Sequence, residues 1–264
     1  MNYDFALISN VNKDLQEFLE NPTEEKNITL LFNPPPDNQS VYMCLVQRRY
    51  EGWLKSEYID LYLQLGGVNT YIITARRDIC GLRTTLTLSI PHDLHNASPL
   101  KGRHLGTDRL PIGRIRSNAF NTTFYSCLDP DLLTHLNQTQ LVDNNEMLIK
   151  YKLNFLGSWK PYEMEVFLAE RCLLPSHRRV STVEPFIYSL RSRPPEWDPF
   201  QHTYVMDFRN RVTIPSIKNL QLETNRNEVV LQFGRVGKDL FTMDFKSPLT
   251  LFQAFCISLT RFFL

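Results

Sequence analysis

Two compact arginine groups, Arg76-Arg77 and Arg114-x-Arg116, stand out as residues that could do chemistry. Arg116 is followed by Ser117-Asn118, which sets a hydroxyl and an amide beside the guanidinium. An Arg side chain presents a planar fork of N–H donors matched to phosphate oxygens, whereas Lys offers a mobile point charge. Two or more such forks converging from adjacent strands, with amide or hydroxyl donors nearby, would hold a compact polyanion. Strand alternation puts Arg114 and Arg116 on one face, while Arg76 and Arg77 diverge unless a bulge intervenes. The plainer alternative is that such pairs form solvated faces or cross-strand ion pairs, which contribute little. A third group, Arg48-Arg49 with Lys55, could flank the same patch, but its solvated reading is favoured.

Other chemistries find less support. His92 and His95 lie three residues apart in "PHDLHNAS", a loop-like context that suits surface histidines better than a metal site. "GRVGKD" lacks the Ser/Thr and the following helix of a phosphate-binding loop, and predicts a strand turn. No GxSxG, HExxH or kinase signature occurs, so no catalytic residues and no cofactor are predicted. Cys44, Cys80, Cys127, Cys172 and Cys256 are odd in number and without CxxC spacing, a pattern that suits free thiols in a reducing compartment.

The elements that must position these residues follow from hydrophobic patterning. The chain has 264 residues, 42% hydrophobic and 22% charged, the composition of a globular protein. Its net charge of +1 means that anion binding must come from local clustering, and no nucleic-acid partner is expected. The N-terminus lacks a basic region followed by an apolar one, so no secretory signal is predicted and an intracellular location is expected. On that reading five N-x-[ST] sequons, at Asn27, Asn38, Asn96, Asn121 and Asn137, occur by chance.

Residues Asn12 to Asn21 could form one short acidic helix, and "NPPPDNQ" at Asn33 to Gln39 marks a boundary. The expected division is therefore an acidic extension, 1–35, and one domain, 36–264. Beyond the boundary, short β-branched and aromatic runs such as "SVYMCLVQRRY", "EYIDLYLQL", "NTYIITARR" and "RTTLTLSI" read as strands, with Gly66-Gly67 as a hairpin turn. "NTTFYSCL", "MLIKYKLNFL", "YEMEVFLA", "HTYVMDF", "SIKNLQLE", "EVVLQFG" and "DLFTMDF" continue the pattern. Eleven or twelve strands predict an all-β sandwich or closed barrel. The run from Leu249 to Leu264 is apolar all round a helical wheel, with Ser247 as a plausible N-cap and Pro248 in the first turn. At about 16 residues it falls short of the ~20 that span a bilayer, so no transmembrane segment is predicted. A barrel of this size can take such a helix as its plug.

Three blocks carry a family resemblance: "GRIRSNAFNTTFYSCLD" (Gly113 to Asp129), "FRNRVTIPSIKNLQL" (Phe208 to Leu222) and "VVLQFGRVGKDLFTMDFKSPLTLFQAF" (Val229 to Phe255). They resemble the Tubby C-terminal domain, and the likeness runs from about Val41 to Leu264. It implies a mainly β fold, a closed twelve-stranded barrel threaded by a hydrophobic C-terminal helix. It further implies a non-enzymatic tether that binds a phosphoinositide headgroup at the inner membrane surface, with unidentified protein partners. The implied setting is cytoplasmic and peripheral at the plasma membrane, with nucleus or cilium as further sites and receptor or ciliary trafficking as the role. Arg76, Arg77 and Arg116 match the family's basic positions, and Arg114 and Asn118 join them as site residues. The chain departs from the family where Asp78 and Ile79 follow the arginines in place of further basic residues. Two alternatives remain open on the sequence. One is a regulatory protein-interaction module whose lipid site has decayed; the other is an enzyme using a barrel cavity, for which a plugged barrel leaves little room.

Overall fold

The computed structural model describes residues 30–36, 40–80, 83–91, 109–129, 146–152, 163–168, 188–200 and 202–263. The acidic helix expected at 12–21 lies outside them, as do His92 and His95. Fourteen strands are described: β1 Tyr42–Glu51, β2 Ser56–Leu65, β3 Val68–Cys80, β4 Arg83–Pro91, β5 Arg109–Ser117, β6 Thr123–Leu128 and β7 Met147–Tyr151; then β8 Met164–Leu168, β9 Tyr188–Ser192, β10 Glu196–Asp198, β11 Thr203–Val205, β12 Leu220–Glu223, β13 Val229–Gly237 and β14 Leu240–Phe245. Twelve of them close into an antiparallel barrel in the order β1-β14-β13-β12-β9-β8-β7-β6-β5-β4-β3-β2, while β10 and β11 pair separately. The closed twelve-stranded barrel that the resemblance implies holds; of the eleven runs read as strands one lies outside it, and two further strands complete it. "HTYVMDF" supplies β11 of the side hairpin and not a barrel strand, and β5 and β9 take places that the run of apolar segments does not announce.

Alternation drives the closure. In β4, Leu86, Leu88 and Ile90 are buried while Thr85, Thr87 and Ser89 are partly exposed, so one face fills the barrel and the other meets solvent. Gly66 and Gly67 adopt φ of +54° and +82° between β2 and β3, the left-handed pair that a two-residue hairpin demands.

The C-terminal helix, Leu251–Thr260, fills the interior, and every residue in it is buried. Its start corrects the Ser247 expectation. Thr250 is the N-cap, its hydroxyl accepting from the Gln253 N–H while the Gln253 side chain accepts from the Thr250 N–H, each at 3.1 Å. The helix's two other hydroxyls are also satisfied: Ser258 donates to the Ala254 carbonyl at 2.9 Å, and Thr260 to that of Ile257 at 2.7 Å. Phe252 and Phe255 are fully buried, each stabilising the fold by roughly 1.5–3 kcal/mol. Phe252 meets Phe32 at 5.4 Å between ring centroids, so the core includes residues as early as Leu30–Phe32.

Gly113 shows how closely helix and wall approach. A Cβ there would stand 2.8 Å from both the Cys127 carbonyl oxygen and Phe252 Cζ. Because β1 leads away from the end where the helix begins, the helix finishes at the rim formed by the β1–β2, β3–β4, β5–β6 and β13–β14 turns, here called the upper rim. No described helix is long and apolar enough to cross a membrane.

Candidate functional site

Cross-strand register builds the site on the outer wall. Arg76 of β3 stands opposite Thr87 of β4, which stands opposite Arg114 of β5. One pleat nearer the upper rim, Asp78, Thr85 and Arg116 form a second row. All six face outward, because the intervening Leu86 and Ile115 are buried. Neighbouring strands lie about 4.8 Å apart, so Arg76 and Arg114 are separated by ~10 Å along their row, with the two threonine hydroxyls between the cationic strands.

The three guanidiniums differ in their engagement. Arg76 binds its own neighbour: Nε donates to Asp78 Oδ1 at 3.1 Å and Nη2 lies 3.0 Å from the same oxygen. Arg114 Nη2 donates at 3.3 Å to Asp129, whose carboxylate is buried. The Arg116 side chain is exposed, and its guanidinium forms no hydrogen bond or ion pair with a described residue. Its neighbour across the strand pair is Tyr125, whose hydroxyl donates to Glu146 at 2.8 Å; burial, and then that carboxylate, push the phenol pKa up. Among the described residues the wall thus offers one unpaired fork, one fork anchored from behind and one fork neutralised by Asp78.

Arg77 goes elsewhere. It points over the barrel mouth, where Nη1 donates to Glu57 at 2.9 Å and the guanidinium carbon lies 4.6 Å from the Phe263 ring centroid. Arg48 shares Glu57 at 3.8 Å and donates to Asp239 at 2.8 Å through Nε. Lys218 Nζ donates to the Arg261 carbonyl at 2.9 Å, and Arg261 Nε returns a bond to the Lys218 carbonyl at 3.2 Å. These four cations ring the C-terminal end of the buried helix, where the helix dipole favours positive charge. Burial, then Arg48 and Arg261, hold the Lys218 ammonium pKa below its ordinary value.

Asn118 sits in the β5–β6 turn. Its amide donates to Thr122 Oγ1 at 2.8 Å and accepts from the Thr122 and Thr123 N–H groups at 2.9 and 3.2 Å. Both ends of that amide are occupied in shaping the turn. Arg49 faces outward in the row of Tyr58 and Arg76, but it binds Asp60 and Glu51. The structure therefore brings Arg76, Arg114 and Arg116 together and separates Arg77 from them. No cluster of metal-ligating side chains exists among the described residues.

The match to known proteins is to this wall and plug together: the model of the Tub family covers residues 31–263. The chain belongs to the Tub family. Among its Tub relatives, Tubby protein homolog 1 of Caenorhabditis briggsae is 28% identical over 96% of this chain and 61% of its own length. Protein king tubby 2 of Aedes aegypti is 32% identical over 57% of this chain and 40% of its own. Tubby-like F-box protein 11 of rice (Oryza sativa subsp. japonica) is 25% identical over 94% of this chain and 75% of its own. The chain spans about half the length of the first two relatives. Within this Tub barrel, sequence reasoning missed Thr85 and Thr87, although the alternation in "RTTLTLSI" already puts them on a polar face. The mouth cluster gave no such signal, because its members come from β1, β3, the helix end and the segment before β12.

Proposed function

We propose that this Tub-family protein is a non-enzymatic tether whose outer wall binds a phosphorylated inositol headgroup through Arg116, Arg114 and Arg76. The observation that carries this reading is the exposed double row in which three guanidiniums flank Thr85 and Thr87 on one face. A ring bearing two phosphates needs two forks about one ring-width apart, with hydroxyl donors between them. Arg116 supplies a bidentate contact, and Asp129 fixes Arg114 for a second. Bound this way, the protein is peripheral on the cytoplasmic face of the plasma membrane and holds protein cargo there, with receptor or ciliary trafficking as the role. On this reading residues 36–264 are the binding domain and residues 1–35 an extension whose Leu30–Phe32 pack into its core.

A specific contact favours a second reading. Asp78 occupies Arg76 and places a carboxylate in the Arg116 row, the arrangement expected of a protein-interaction module whose lipid site has decayed. Liposome sedimentation with and without a bis-phosphorylated inositol lipid separates the two. Each charge-assisted phosphate contact is worth on the order of 1.5–3 kcal/mol, so Arg76→Ala with Arg116→Ala should weaken binding more than about a hundredfold. Wild-type protein that ignores the lipid at low salt, or a folded double variant that binds it equally well, sinks the headgroup reading.

A further inference from the structure

Four apolar side chains stand out on the upper rim next to the proposed headgroup site. Trp53 is 90% exposed and Leu54 71% in the β1–β2 turn, Ile79 is 69% exposed near the end of β3, and Phe120 is 83% exposed in the β5–β6 turn. Scattered exposed apolar residues need no explanation, but these occupy three alternate hairpins of one meander, β1 through β6. Alternate turns of an antiparallel meander point the same way, so all four belong to one edge, an arc spanning about 20 Å. The edge is also cationic: Lys55, Arg83 and Lys238 are exposed in or beside its turns, against the exposed carboxylates of Glu51 and Asp78.

The turns that carry these side chains are built structures. Lys55 N–H donates to the Gly52 carbonyl at 3.1 Å, with Gly52 and Lys55 both at positive φ. Asn121 N–H donates to the Asn118 carbonyl at 3.2 Å, and the Asn118 amide ties the turn to Thr122 and Thr123. Phe120 and Trp53 are thus held away from the wall by hydrogen-bonded backbone. They have not collapsed onto the barrel, where burial would be favourable.

We propose that the upper rim is a bilayer-insertion edge, with Trp53, Leu54, Ile79 and Phe120 entering the acyl boundary of an anionic membrane while the arginine wall holds a headgroup. The inference rests on the headgroup reading above and adds the depth and orientation of docking. Arg116 lies next to the rim and Phe120 only four residues beyond it, so a headgroup gripped at Arg116 puts Phe120 roughly one headgroup layer deeper. Trp is suited to that interface, with an apolar body and a polar N–H. Lys55, Arg83 and Lys238 then face anionic lipid heads.

The test compares wild type with Leu54→Ser plus Phe120→Ser, neither of which touches the headgroup site. Vesicles of phosphatidylcholine containing a bis-phosphorylated inositol lipid are the membrane probe, and a soluble inositol trisphosphate is the headgroup probe. The variant should lose roughly tenfold in vesicle affinity for each side chain removed, while soluble headgroup affinity stays unchanged. An equal vesicle affinity for variant and wild type overturns the insertion edge. The emission of Trp53, taken as the difference between wild type and Trp53→Phe, should shift to the blue on vesicles and be quenched by lipids brominated on their acyl chains. Unshifted emission from vesicle-bound protein also overturns it, and leaves the rim as a surface for a protein partner. If wild type binds neither probe, the headgroup reading itself has failed, and insertion with it.

Discussion

Replacing Asp78 with Asn tests whether the outer wall is a working anion site. The change removes one charge from the middle of the double row and leaves the strand backbone as it is. Two effects then act on a bound phosphate. First, Arg76 is released from an ion pair at 3.0 Å whose side chains are 58% and 44% exposed, a contact worth about 0.2–1 kcal/mol. Second, the repulsion between the Asp78 carboxylate and the phosphate disappears. For a phosphate dianion held ~6 Å away in a water-like medium that repulsion is about 1.4 kcal/mol, and physiological salt screens it to about half. Together these give about 1–1.5 kcal/mol, or a five- to tenfold gain in headgroup affinity. Because the pair is largely exposed, the unfolding midpoint should barely move. Titration calorimetry with a soluble inositol phosphate, at low and at physiological salt, reads the gain directly, and Asp78→Lys should extend it. If folded Asp78→Asn protein binds no more tightly than wild type at either salt, the carboxylate does not face the ligand and the wall is not the site.

Further predictions concern the frame that holds the wall. Phe255→Asp places an unpaired charge in a fully buried position of the helix, at a cost of several kcal/mol against a typical total of roughly 5–15; cooperative unfolding near the wild-type midpoint would contradict the plug. Gly113→Ala forces its Cβ to within 2.8 Å of the Cys127 carbonyl and the Phe252 ring, and denaturant titration should show a loss of about 1–3 kcal/mol; an unchanged midpoint would mean that helix and β5 are not in contact. Burial pushes the Cys44 and Cys256 thiols well above their ordinary pKa, so the unfolded chain releases these protons first as pH rises. Stability should therefore fall with increasing pH from about 8.5, the pKa of a free thiol, and Cys44→Ala with Cys256→Ala should flatten that slope; an equally steep slope in the double variant refutes it.

What could be read from the sequence was whatever depends on local period. The alternation of Leu86, Leu88 and Ile90 with Thr85, Thr87 and Ser89 gives both the strand and its facing, and the Gly66-Gly67 pair gives the hairpin. The apolar stretch around Phe252 and Phe255 announces a buried helix because no polar stripe interrupts it. Its first residue was less legible. Pro248 with Ser247 makes a good helix start on local grounds, yet Thr250 and Gln253 form a reciprocal cap three residues later. β5 was legible only where Arg114 and Arg116 alternate, and β9 not at all. β5 carries Pro111 and Gly113, which weaken a strand signal, and Gly113 is there because Phe252 allows no side chain. β9, Tyr188–Ser192, buries only Leu190 between polar neighbours, so no apolar alternation shows in it.

The same distinction explains the site. Strand parity alone separates Arg76 from Arg77, so the sequence already sends one to the wall and the other to the mouth. What parity cannot give is the neighbour across the strand, because that depends on register. A shift of β4 by one residue would exchange Thr85 and Thr87 for leucines between the arginines and put the threonines inside. The register is held by the interior: Leu86 and Leu88 are buried next to Ala75 and Ile115, and turning either outward would cost the burial of a whole row. The outward arrangement of Arg76, Thr87 and Arg114 is therefore a consequence of packing around the helix. The wall's charge pattern is only as well defined as the plug behind it, and a variant that loosens the helix should weaken headgroup binding without touching a single arginine.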